Sequence, residues 1–420
     1  MSPVLMMRII LLTHYFEPEN GAPQRRWSAL IERFVAAGHS VFVFAPPPHY
    51  PSGRRASSDS ALRPGTRQQS ESGATVYRVH FLRHSGDIAT RTLDHLVAAS
   101  ASYRRASRVF RASSADVIIA TAPALETLIS GHALARRLRL PLVAEMRDAW
   151  PDLVAYTPGM LAPNRPASVV KQKVHRLVTV LQRRSNAVVT TTATFASVLR
   201  ERGIDRVKVI RNGTDLRRYS AVEKRVRGEG DPLRVLYMGT IGRSQGLDRI
   251  IHAAARMAQL GTRIEVRIVG SGADVGRLRK LNRRLGSPVQ ILGQIAGSAV
   301  LEHYRWADST VVSLRDWTPF AWTVPSKLYE LLATGKHVTA IVAGEAAEIV
   351  RKTRSGHVVS PGDTVALADL WTRLAANRSL LDISSQGQDW VARYADYDQI
   401  AADYLALLES VVQGTSERTS

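Results

Sequence analysis

Short apolar runs alternate with amphipathic stretches along most of the chain, and each pair predicts a buried strand followed by a helix. Arg8–Thr13 reads as the first strand. Beyond the loop His14–Pro23, Trp27, Leu30, Ile31, Phe34 and Val35 recur at helical spacing, and Gly38 stops that helix after Ala37. Val41–Phe44, Thr75–His80, Asp116–Ala120, Leu142–Glu145, Ala187–Thr191 and Val207–Ile210 are further expected strands. Helices are expected at Thr92–Arg111, Ala124–Leu138 and Thr194–Arg202.

The pattern lapses over Asp215–Pro232, which reads as a linker, and then restarts. Its second run predicts strands at Arg234–Met238, Glu265–Val269, Val289–Leu292, Thr310–Leu314 and Val338–Val342, with helices at Gly246–Gln259 and Asp274–Leu285. Ile400, Tyr404, Leu407, Leu408 and Val411 mark a last amphipathic helix, and the tail after Gln413 is expected to be disordered. Such alternation predicts the α/β class: two doubly wound, mostly parallel domains, with a ligand cleft outside the carboxyl ends of their strands. Gly53–Gly73 lacks any period and reads as a lid or a disordered loop.

The best-defined local element is Val324–Gly335. Pro325 turns its predecessor away from helix, Ser326 can cap, Leu328, Leu331 and Leu332 share a face, and Gly335 can close the helix. Lys327 and Glu330 lie in its exposed first turns, where free N–H groups and the dipole favour an anion. A short core helix with a solvated first turn has the same local pattern.

Composition narrows the picture. The 420 residues suggest two or three domains, and 45% hydrophobic with 22% charged residues is a globular balance. Without cysteine, disulfides and thiolate metal sites are excluded. A formal charge of +21, mostly from Arg, points to nucleic acid, an anionic membrane or phosphorylated substrates; an Arg-rich codon bias would also produce it. Aromatic-interleaved basic platforms are missing, which argues against nucleic acid. No apolar run is long enough to span a bilayer, and Ile9–Leu12 does not read as a signal peptide, so a cytoplasmic location is expected. Pro166–Arg184 is a basic amphipathic helix candidate, with Val170, Val174, Leu177, Val178 and Leu181 on one face. It could lie on an anionic inner leaflet or simply pack on its own domain.

Six loops follow strands and could carry chemistry. The first ends Gly21-Ala22-Pro23-Gln24-Arg25-Arg26, where Gly21 lets a ligand approach and two arginines favour phosphate. Glu145-Met146-Arg147-Asp148-Ala149-Trp150-Pro151-Asp152 mixes both signs of charge with an aromatic, as a sugar site would or as a surface ion pair would. Gly239-Thr240-Ile241-Gly242-Arg243-Ser244-Gln245-Gly246 is a phosphate cradle with one cation. Gly270-Ser271-Gly272 is not the dinucleotide fingerprint, because its third glycine, Gly276, comes one position late. Lys327 and its helix start form the fifth, and Gly344-Glu345-Ala346-Ala347-Glu348 the sixth. There is no Walker A sequence, zinc-protease helix or nucleophile elbow, and the twelve histidines show no metal spacing, so no metal or other cofactor is expected.

In order, the segments YFEPENGAPQRR, HYPSGR, RDAWPD, GTIGRSQGLD and VPSKLYELLATGKHV resemble those of the retaining glycosyltransferases of family 4, in the bacterial branch that assembles O-antigen, capsule and exopolysaccharide. The resemblance implies a GT-B fold: two Rossmann-like domains facing across a cleft, 1–215 for the acceptor and 216–390 for the donor. A helix within 391–413 would cross back to the first domain, and a tail would follow from 414. It implies a nucleotide-sugar, UDP-linked and carrying a hexosamine or a deoxy-amino sugar, a lipid-linked glycan acceptor, and no metal. The base would lie near Gly270, Gly272, Gln294 and Ile295, and the pyrophosphate near Gly239, Gly242, Arg243, Ser326 and Lys327. Glu330 would hold the ribose, Gly21 would approach the donor phosphates, and Arg147 and Asp148 would face the reacting sugar. Trp322 stands where the family has a second glutamate, and Thr240 and Gln245 where it has Arg and Lys. The alternatives are a sugar-nucleotide epimerase of the same fold and a basic, non-enzymatic membrane-surface protein.

Overall fold

The computed structural model describes residues 6–416 except 20, 51, 86, 113, 150, 151, 153–164, 224, 227 and 229. The chain divides into two units: Met1–Asn212 with Tyr397–Ser420, and Gly213–Asp396.

The first unit holds an eight-stranded sheet. Its strands are β1 (Arg8–Leu12), β2 (Ser40–Ala45), β3 (Arg67–Gln69), β4 (Thr75–Arg78), β5 (Val117–Thr121), β6 (Leu142–Met146), β7 (Ala187–Thr190) and β8 (Val207–Val209), in the order β3-β4-β2-β1-β5-β6-β7-β8. All pairs are parallel except β3 with β4. Ile9 to Leu12 are buried without alternation, as expected of a parallel strand covered on both faces. Chain order reverses between β1 and β5, so the loops at their carboxyl ends face the natural ligand position of this unit.

Trp27, Leu30, Ile31 and Phe34 of helix Ala22–Ala36 enter the first core. There they meet Ile400, Tyr404 and Leu408 of helix Tyr397–Ser416, with the Tyr404 ring edge-on to Trp27 and Phe34. The C-terminal helix thus completes the core of the first unit. It runs through Ser416, three residues beyond the point where disorder is expected; residues 417–420 lie outside the described residues. Gly53–Gly73 is also more ordered than its composition implies. It contains a short 3-10 helix at Ser60–Leu62 and the edge strand β3, with Leu62 buried.

The second unit holds β9 (Leu233–Met238), β10 (Ile264–Val269), β11 (Val289–Leu292), β12 (Ser309–Ser313), β13 (His337–Ile341) and β14 (Gly356–Val359) in the order β11-β10-β9-β12-β13-β14, all parallel. Its reversal lies between β9 and β12. The segment that reads as a linker opens with helix Leu216–Ser220, and Tyr219 and Val222 join the core of the second unit. Both units therefore have the doubly wound architecture that the alternation predicts.

Candidate active site

In the second unit, the loops after β9, β10, β12 and β13 come together with helix Ser326–Ala333. Leu328, Leu331 and Leu332 anchor that helix in the core, and Gly335 ends it at φ +63°. Pro325, not Ser326, occupies the N-cap position, and no side chain caps the helix. Ser326 is instead the first helical residue; Leu328 N already donates to Pro325 O at 2.9 Å, and the N–H groups of Ser326 and Lys327 are the ones open to a ligand or to water. Lys327 Nζ donates to Glu330 Oε2 at 2.6 Å, and Tyr304 Oη reaches the same oxygen at 3.5 Å. The two residues assigned separately to phosphate and ribose are thus partners of one another.

Gly239 brings the β9 loop against this pair, since a Cβ there would lie 3.7 Å from Lys327 Cε. The β9 and β10 loops are joined through their backbones: Gly239 N donates to Val269 O at 2.9 Å, and Ile241 N to Ser271 O at 2.8 Å. Gly270 and Gly272 have φ of +145° and +154°, and Cβ atoms on them would come within 1.9 Å of Gly239 O and 2.3 Å of Ile241 O. These glycines serve loop–loop contact, not only ligand approach. Gly242 opens the 3-10 turn Arg243–Gln245, and its N–H bonds Gln245 Oε1 at 3.1 Å. Gln294 is exposed beyond β11, with Ser271 Oγ 3.5 Å from its Oε1, while Ile295 packs against the core. Trp322 ends the short helix Thr318–Ala321, which a Cβ on Gly344 would strike.

Arg243 stays exposed. Arg315, absent from the sequence-based assignment, packs its Cγ 3.1 Å from the Cβ position of Gly246. Its position directly after a predicted strand was the available signal. Arg277 bonds both oxygens of Asp274, at 2.8 and 2.7 Å, and holds that carboxyl below its usual range, with Arg315 and Arg243 adding to the effect. Asp274 pairs directly with Arg277, not with Arg243 or Arg315. The site can therefore present Lys327, Arg243 and Arg315 to an anion.

In the first unit, Gly21 is the N-cap of helix Ala22–Ala36, again without a side-chain cap. Arg26 does not serve as a phosphate ligand here. Its guanidinium meets Glu145 at 3.0 Å and bonds the carbonyls of Ile210 and Arg211, with Trp27 Nε1 donating to the other Glu145 oxygen. Glu145 is likewise fully buried and committed to that network. Arg147 donates to Ala122 O at 3.0 Å, and burial lowers its pKa against the pull of Glu145 and Asp148. Asp148 keeps open surface; crowding pushes its carboxyl upward, an effect that this exposure limits. Asp152 is held by both nitrogens of Arg202, and Trp150 and Pro151 lie outside the described residues.

The fold also assembles a histidine cluster that no sequence spacing reveals. His14 follows β1, His49 follows β2, and Asp94 projects from helix Ile88–Val109; all three are buried. His14 Nε2 lies 3.1 Å from both His49 Nε2 and Asp94 Oδ2, and His49 Nε2 lies 3.4 Å from that oxygen. Burial lowers His14 to about 3. For Asp94, burial acts upward, but the two imidazoles outweigh it and hold the carboxyl low.

Residues 21–213 match the glycosyl transferase 4-like domain, and residues 232–377 match the glycosyl transferases group 1 domain. A protein named as a colanic acid biosynthesis glycosyl transferase, WcaI of Escherichia coli K12, is 25% identical over 358 residues, which cover 81% of this chain and 84% of that protein. Among solved structures, the sucrose-phosphate synthase of Thermosynechococcus elongatus superposes with a TM-score of 0.73 at 17% identity, covering 97% of this chain and all of the other. Anabaena HepE, solved in complex with UDP and glucose, gives 0.67 at 18%, covering 96% of this chain and all of HepE. Two matching domain models in sequence, on two doubly wound units, place the chain among the family 4 glycosyltransferases of GT-B fold.

Proposed function

We propose that this glycosyltransferase moves a hexosamine or deoxy-amino sugar from a UDP-linked donor to a lipid-linked glycan acceptor during assembly of cell-surface polysaccharide, with retention at the anomeric carbon. The likeness to WcaI supports the pathway, and HepE with UDP supports the nucleotide. The observation that carries the reading is the uncapped helix start at Ser326, with Lys327 packed on Gly239 and paired to Glu330.

The donor pyrophosphate docks on the opening N–H groups and draws Lys327 toward itself. Glu330 is then released to accept hydrogen bonds from the ribose hydroxyls. Arg243 and Arg315 flank the same loop and add positive charge. As the glycosidic bond breaks, negative charge grows on the leaving phosphate, and fixed cations there stabilise the transition state more than the ground state. These cations take the role of a divalent ion, so donor binding needs no metal. Arg147 and Asp148 belong to the acceptor half, where they orient the transferred sugar.

Titration of the purified chain with UDP and UDP-sugars by calorimetry tests the donor site. Lys327→Ala and Glu330→Ala should each weaken UDP at least about tenfold, the loss of roughly one charge-assisted contact, while the circular dichroism spectrum stays unchanged. Wild-type affinity in both variants would refute the assignment. An excess of chelator should leave UDP affinity intact. Turnover without any acceptor would instead favour an epimerase.

A further inference from the structure

The cluster at His14, His49 and Asp94 belongs to the first unit, and none of its residues is assigned to the donor site. Among the described residues it is the one set of three or more histidine, aspartate and glutamate side chains with ligand atoms close enough to share an ion. Its three edges are 3.1, 3.1 and 3.4 Å. Nitrogen and oxygen ligands lie about 2.0–2.1 Å from zinc, and neighbouring corners of such a tetrahedron are then about 3.3–3.4 Å apart. The triangle is close to one face of that tetrahedron.

Two further observations point to a cation. His49 Nδ1 lies 2.9 Å from Pro47 O, to which it must donate, so the ring, when neutral, turns the lone pair of Nε2 into the cluster. Asp94 Oδ1 accepts from Leu82 N, whereas Oδ2 is fully buried without a hydrogen-bond partner of good geometry, although His14 Nε2, His49 Nε2 and, at 3.8 Å, His84 Nε2 surround it. An electron-rich triangle this small, sealed from solvent, calls for positive charge at its centre. A proton between one pair leaves the third atom unmatched, whereas a metal ion serves all three.

We infer that His14, His49 and Asp94 form a binding site for a divalent transition metal of the zinc class. Two imidazoles and one carboxylate in near-tetrahedral array suit zinc over magnesium or calcium, which prefer six or more oxygens. The fourth corner goes to water or to a ligand oxygen. The ion ties the loops after β1 and β2 to helix Ile88–Val109, and so fixes the ligand face of the first unit.

The test uses the full, untagged chain, stripped with chelator and titrated with ZnCl2 in the absence of donor and acceptor, so that it reads metal and not turnover. One ion per chain is expected, with no competition from MgCl2. His49→Gln and Asp94→Asn should each weaken it by more than about tenfold, the lower cost of losing even an outer partner of a metal ligand. CoCl2 loaded into the unmodified chain should give the intense visible bands of a tetrahedral centre, a readout that survives misfolding of either variant. No zinc uptake, affinity in both variants equal to that of the unmodified chain, or the pale spectrum of six-coordinate cobalt would overturn the site and leave a proton-bridged cluster.

Discussion

At the scale of single residues, Gly270 shows how a motif can be legible while its purpose is not. A glycine pair after a strand is visible in the sequence, and proximity to a bound base is a natural expectation for it. The partner that requires the glycine, the carbonyl of Gly239, lies thirty-one positions upstream and can only be found in the fold. Gly270→Ala should destabilise the second unit by about 1–3 kcal/mol through backbone strain and the Cβ contact. Because Gly239 packs on Lys327, the variant should also bind UDP more weakly. Gly276→Ala is the control, since nothing lies within 4 Å of its added methyl. Equal urea midpoints for the two variants would contradict this account. Arg26 has the same lesson with opposite sign. A basic pair at a helix start reads as a phosphate ligand, but the buried Glu145 that claims Arg26 comes from a strand 119 residues away.

Among the elements, the central strands and most helices were readable because burial on one or both faces imposes a period, although helices Val300–Trp306, Thr364–Ala376 and Gln386–Tyr394 went unpredicted. Two short edge strands were not readable either. β3 is Arg-Gln-Gln, with no apolar face to announce it, and exists by pairing with β4. β14 opens with glycine and histidine and is only four residues long. The site followed the same division: the helix carrying Lys327 and Glu330 was visible locally, whereas the metal-binding triangle draws on three elements that share no spacing. Helix Arg165–Arg184 forms where its pattern predicts, with Val178 buried, but Val169, Leu177 and Val180 remain exposed at 49, 47 and 40%. They share a face with Lys173 and Arg184, at intervals of three and four residues; the side chains of Val170 and Lys171 lie outside the described residues. Such a face suits an anionic bilayer surface, and no helix among the described residues is long and apolar enough to cross one. The chain should float with vesicles rich in phosphatidylserine and not with neutral ones. Replacing Leu177 and Val180 by Ser, and Lys173 and Arg184 by Gln, should abolish flotation; unchanged flotation would exclude this helix as the anchor.

For the whole molecule, acidity acts through imidazoles that are partly or fully buried. His14, His39, His84, His132, His303 and His357 all have lowered pKa values, with burial as the largest cause in each; His49 alone among the shifted histidines is raised. His39 shows the structural reason, since its Nδ1 accepts the N–H of Met7 at 3.1 Å and protonation would remove that acceptor. When the folded pKa lies below the unfolded value of about 6.5, the unfolded chain binds the extra proton first. Stability from these groups is therefore complete above that pH and falls away beneath it, while His49 works in the other direction. The melting temperature should drop between about pH 7.5 and pH 5.5; a flat or rising profile would show that the histidines do not govern it.

The return of helix Tyr397–Ser416 to the first unit has a consequence for how the protein is made. The first half of the chain emerges first, yet Trp27, Leu30 and Phe34 have no Tyr404 to cover them until at least 370 more residues have been added. The second unit is contiguous and can close on its own while the ribosome is still working. The earlier-born unit is therefore expected to finish folding last, an inversion of the usual order of synthesis that limited proteolysis of ribosome-bound chains would check.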